Sequence, residues 1–139
     1  MIVLDTNVIS ELQGRQHSER ILRWLDGYDR EAVFLTAIAT AEMHFGIALL
    51  EPGARQDNLR QTLLRIENAF SGRILSFSQT AAGRYGAIAA QRQKAGRAME
   101  TKDAMIAAIC LSHDATLATR NTKDFEGLDL KLVNPFEGA

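Results

Sequence analysis

Ile2-Val3-Leu4-Asp5-Thr6-Asn7 is the stretch whose reading decides the fold. It is a short all-apolar strand that delivers a carboxylate and then two small polar side chains as it surfaces. An open α/β sheet binds ligands at the carboxyl ends of its strands. Asp5 is therefore placed for chemistry, provided other acids converge on it. Two more acids lie in equally apolar company far along the chain: Glu42 in Thr40-Ala41-Glu42-Met43 and Asp103 in Lys102-Asp103-Ala104-Met105.

Working outward, the same alternation of apolar strand and helix repeats. Further strands are expected over 32–35, 74–77, 115–119 and 130–133. Between them, a short helix runs through Val8 to a turn near Gly14, and Ser18 caps a second with Ile21, Leu22 and Leu25 at helical spacing. Thr36 caps a third to about Leu50, and Glu51-Pro52-Gly53 breaks the chain. Leu59, Leu63, Ile66 and Phe70 mark a fourth helix ending near Gly72. Ser78 caps an Ala-rich fifth, which Gly96 stops. Thr101 caps a sixth that is apolar on every side from Ala104 to Leu111 and is therefore buried. The pattern gives an α/β protein of one domain over 1–139, with a mostly parallel five-stranded sheet flanked by helices.

Composition sets the outer bounds. A chain of 139 residues with 46% hydrophobic content builds one packed core. No uncharged apolar stretch approaches the roughly 20 residues that cross a bilayer, so no membrane partner is expected. With no export signal visible and Cys110 the single cysteine, a reducing cytoplasm is the expected location. Net charge is −1, but from Asn68 to Met99 there is no acid, while Arg73, Arg84, Arg92, Lys94 and Arg97 are basic. Such a run is either a solvated helix face or a track for a nucleic-acid backbone. His17, His44 and His113 lack metal-ligand spacing, which argues against zinc. No Gly-rich phosphate loop is present.

Each acid alone has a plain structural use. Asp5 can cap the helix after the first strand, and Asp103 suits the positive end of its own helix. Glu42, mid-helix among Ile38, Ala39, Met43 and Phe45, is harder to dismiss, because an ionised carboxylate on an apolar face is costly without compensation. Gathered on one edge, the three would repel and protonate unless a divalent cation neutralised them. All-oxygen ligands favour Mg²⁺ or Mn²⁺, and such an ion suits phosphodiester hydrolysis. The loop after the fourth strand offers Asn121 and Asp124 as a further contributor, and Thr119 as a hydrogen-bonder to a carboxylate.

Over essentially its whole length the chain resembles PIN-domain ribonuclease toxins of the VapC type, FitB-like in particular. The resemblance rests on residues 2–11, 37–46, 102–108 and 117–121, and on the closing Val133-Asn134-Pro135-Phe136. It implies a Mg²⁺- or Mn²⁺-dependent endoribonuclease acting on structured RNA such as tRNA or rRNA. Asp5 and Asp103 would be metal ligands, and Glu42 a ligand or a holder of water on the metal. Thr6 and Asn7 would orient the first carboxylate. Many relatives have a fourth acid where this chain has Asn121, so either Asp124 substitutes or a second ion binds loosely. The resemblance also implies a homodimer held inactive by a small VapB- or FitA-like antitoxin that itself binds operator DNA, as a dimer of heterodimers. Two other readings compete: a haloacid-dehalogenase-like phosphatase with Asp5 as nucleophile, and a catalytically weak or idle binding subunit.

Overall fold

The computed structural model describes residues 1–13 and 19–137. The expected turn at Gly14, the Ser18 cap and His17 lie outside the described residues. Five strands form one sheet in the order β3-β2-β1-β4-β5: β1 (Ile2–Leu4), β2 (Val33–Thr36), β3 (Ile74–Leu75), β4 (Thr116–Ala118) and β5 (Lys131–Val133). All four neighbouring pairs are parallel. The helices are α1 (Thr6–Gln13), α2 (Glu19–Asp26), α3 (Ala37–Ala48), α4 (Ala54–Ala69), α5 (Gln79–Lys94) and α6 (Thr101–Ser112).

The opening strand lies at the centre because it is apolar on both faces. Ile2 and Leu4 join a core with Val8 and Ile9 of α1, Ile21 of α2, Ala39, Met43 and Ile47 of α3 and Leu63 of α4. Val3 points the other way, into a core with Ala81 and Ile88 of α5, the run Ile106 to Cys110 of α6, and Leu117. Successive side chains of a strand face opposite sides, so one tripeptide anchors both helix layers.

The caps follow the sequence at two sites. The Thr36 hydroxyl accepts from the Ala39 amide and the Ser78 hydroxyl from the Ala81 amide. Gly96 ends α5 with φ +75°, a conformation that favours glycine.

Two expectations are corrected. Thr101 does not cap α6. It is the first helical residue, and the extended Glu100 holds the cap position without a side-chain bond. The third strand stops at Leu75, short of the expected Phe77, because its partner β2 ends at Thr36, the residue level with Leu75.

Leu117 is fully buried between β1 and the α5–α6 layer. Leu117→Ala is expected to cost roughly 2–5 kcal/mol, read as a lower urea midpoint with an unchanged slope.

Candidate active site

The sheet order has its switch point at β1, whose neighbours are β2 on one side and β4 on the other. Ligands of open α/β sheets bind beyond such a point, and here it carries Asp5 at the end of β1 and Thr119 at the end of β4. The Asp5 amide continues the strand pairing by donating to the Ala118 carbonyl at 2.9 Å.

Asp5 is only 6% exposed, and a buried carboxylate needs donors. The Thr6 amide donates to Oδ1 at 2.9 Å, the Thr119 hydroxyl to Oδ2 at 2.8 Å and the Asn7 amide group to Oδ2 at 3.4 Å. The Thr119 oxygen in turn accepts from Asn7 Nδ2 at 3.3 Å and from the Asn121 amide at 3.1 Å. Asn7 Oδ1 accepts from the Arg120 amide at 3.1 Å. Thr6, Asn7 and Thr119 thus fix the Asp5 carboxylate and the loop after β4 together.

Glu42 projects from α3, with Oε1 accepting from the Thr6 hydroxyl at 3.2 Å and Oε2 lying 3.3 Å from Lys102 Nζ. Asp103 comes from the first turn of α6 and Asp124 from a short turn over Thr122–Phe125. All open onto one cleft of about 510 Å³ that Asn121 also lines.

One charged cleft residue escaped the sequence reading, and another has a different role from the one expected. Glu100 lines the wall three residues before Asp103, and its only signal was an acid just ahead of a helix. Arg92, expected on a backbone track, is 7% exposed. Its guanidinium donates to the carbonyls of Arg97, Asp124 and Glu126, and so pins the turn that carries Asp124. Arg73 is likewise engaged: it donates to the carbonyls of Arg30, Val33 and Ala69 and lies over the Phe70 ring. Of the expected basic track, Arg84 and Lys94 stay exposed, and exposed Arg97 stands 3.7 Å from Glu126. No member of that track other than Arg92 lines the cleft.

Crowding of like charge marks the site. Burial, then the charges of Asp5, Glu100, Asp124 and Glu42, push the Asp103 carboxyl from its usual 3.8 to about 6. Burial raises Asp5 as well. The Thr119 and Thr6 hydrogen bonds oppose this, and the Glu42 and Asp124 charges add to it.

As the side chains lie, no three His, Cys, Asp or Glu among the described residues are grouped closely enough to hold a metal ion. Glu42 is instead engaged by Thr6 and Lys102. The donor set still fits a hard divalent cation, being all oxygen, rich in carboxylates and open to solvent. A phosphatase nucleophile fits less well, because both Asp5 oxygens are hydrogen-bonded and the residue two on, Asn7, is one of the donors.

A family model described as the PIN domain matches residues 2–130. The chain is 45% identical to plasmid stability protein StbB of Pseudomonas syringae pv. tomato, over 99% of each chain. It is 38% identical to a VapC ribonuclease of Sinorhizobium fredii over 100% of both. Toxin FitB of Neisseria gonorrhoeae is 40% identical, with 98% of this chain and 99% of that one covered. A solved structure of FitAB bound to a DNA fragment superposes with a TM-score of 0.91 at 39% identity, covering 100% of this chain and 98% of that one.

The crowding gives a stability signature. Asp103 has a higher pKa folded than unfolded, so the unfolded chain binds fewer protons between about pH 4 and 6 and stability falls as pH rises through that window. In EDTA at pH 7.5, Asp103→Asn is expected to be more stable than the parent. The gain is about 1 kcal/mol once solvent screening of a half-exposed group is allowed for. Thermal unfolding across pH should show it fading toward pH 4.

Proposed function

The chain belongs to the PIN-domain family, and on that footing we propose that it is a divalent-cation-dependent endoribonuclease acting as the toxin of a toxin–antitoxin pair. The observation that carries the reading is the opening of Asp5, Glu42, Asp103 and Asp124 onto one cleft at the sheet's switch point. The relatives named as a VapC ribonuclease and as toxin FitB support it.

Asp5 and Asp103 would hold Mg²⁺ or Mn²⁺, with Glu42 as third ligand or as the group orienting the attacking water. Once bound, the ion supplies Lewis acidity at the phosphoryl oxygen and lowers the pKa of the attacking water. The Thr119 and Thr6 hydrogen bonds favour the ionised form of Asp5, and Thr119 and Asn7 aim its carboxylate, as hydrogen-bonded neighbours of metal ligands do. Asp124, pinned through Arg92, would take the place of the acid that Asn121 lacks; Asn121 contributes a neutral oxygen. In-line attack of water leaves 5′-phosphate and 3′-hydroxyl ends on structured RNA, tRNA or rRNA. Arg84, Lys94 and Arg97 would steer the backbone.

A partner is part of the reading. Phe45 on α3 and Leu49 at its C-cap are 67% and 70% exposed, and Leu64 on α4 is 58% exposed. Large apolar side chains left in solvent are available for a protein contact. The relative solved as FitAB bound to a DNA fragment supports a FitA- or VapB-like antitoxin as that partner; an antitoxin that binds operator DNA, a toxin homodimer and a dimer of heterodimers complete the proposal. Among the described residues no helix is long and apolar enough to cross a membrane.

Purified protein should cut a folded tRNA in Mg²⁺ and leave 5′-phosphate ends, with activity lost in EDTA. Asp5→Asn and Asp103→Asn are each expected to lower the rate by about 100-fold or more, and Thr119→Val by roughly 10- to 100-fold. Cleavage undiminished in Asp103→Asn by gel assay would remove the proposal's basis.

A further inference from the structure

We infer that Lys102 is a substrate-phosphate ligand held in reserve by Glu42 and freed when a divalent cation takes that carboxylate; this rests on the nuclease reading above. Lys102 Nζ lies 3.3 Å from Glu42 Oε2, and the Thr6 hydroxyl occupies Oε1 at 3.2 Å. Both oxygens of the acid are thus engaged by the protein itself, and the ion pair ties α6 to α3 beside the cleft. The Lys102 side chain is 56% exposed. The Glu42 side chain is less open, at 23%, but with the ammonium in solvent the pair is screened and exchangeable, and a divalent ion carrying twice the charge competes for the carboxylate.

The freed group has one good destination. Lys102 immediately precedes Asp103, so its flexible stem keeps the ammonium near the bound ion while like charge pushes it away. The oxygens of an incoming phosphodiester are charged acceptors suited to its three rotatable donors.

Three other basic residues have partners that are not acids of the proposed site. Arg92 is locked on main-chain carbonyls, Arg97 faces Glu126, and Arg120 faces Glu11 and stacks on Phe136. Among the ion pairs of the described residues, Lys102–Glu42 is the one whose acid belongs to the proposed site.

The test is a double-mutant cycle followed by a salt titration. By calorimetry, Lys102→Met should bind Mg²⁺ about twofold to fivefold tighter than wild type. The gain should vanish in a Glu42→Gln background, where there is no carboxylate to release. Binding of a short oligouridine is then measured against salt, in Ca²⁺ to avoid cleavage and again in EDTA. In Ca²⁺ the wild-type log–log slope should exceed that of Lys102→Met by about 0.7, one phosphate contact on a single strand, and Lys102→Arg should restore it. In EDTA the slopes should coincide. Unchanged magnesium affinity in Lys102→Met, a gain that persists in Glu42→Gln, or equal slopes in Ca²⁺ overturns the role of Lys102 alone. Absence of magnesium binding in the wild type overturns it together with the nuclease reading.

Discussion

Everything in this molecule turns on one buried charge. Asp5 ends a strand packed on both faces, where a carboxylate without donors would be several kcal/mol too costly to keep ionised. Three donors answer it, and two of them, Thr119 and Asn7, also hold the loop that follows β4. The bonds that make the charge tolerable are the ones that shape the cleft. The Thr119 and Thr6 bonds oppose the effect of burial without cancelling it, so the carboxyl still stands above its ordinary range. A cluster in that condition favours a cation.

The sheet explains how residues so distant in sequence meet. α3, which carries Glu42, packs on one side through Ala39, Met43 and Ile47. α6, which carries Asp103, packs on the other through Ile106 to Cys110. β1 lies between the two layers and projects Asp5 past the sheet's edge. Two helix layers and a central strand therefore each deliver an acid to the same rim. The shifted Asp103, which feels Asp5, Glu42, Glu100 and Asp124 in turn, is the electrostatic record of that convergence.

Much of this was legible in the sequence. Short apolar strands alternating with capped helices fix an α/β layer fold, and Thr36 and Ser78 cap where hydroxyls precede helices. Asp5, Glu42 and Asp103 stood out because acids in apolar company need a reason. Parallel pairing through the whole sheet and its strand order were not in the pattern, since both depend on long-range register. The length of β3 was set by where β2 ends, which no local signal reports. The basic run from Arg73 to Arg97 was legible only in part, for a related reason. Composition cannot tell a guanidinium facing solvent from one, like Arg92, spent on three carbonyls. Lys102 was invisible as a site residue because only the meeting of α3 with α6 gives it Glu42 as a neighbour, and Glu100 read as no more than an acid ahead of a helix.

The central claim is that these carboxylates close on one divalent ion, and anomalous diffraction from crystals grown with Mn²⁺ tests it most directly. The account predicts a single strong peak between Asp5 and Asp103, with carboxylate oxygens at about 2.1 Å and Glu42 turned away from Lys102. Crystals with the cleft open to solvent and no manganese bound to either aspartate would contradict it.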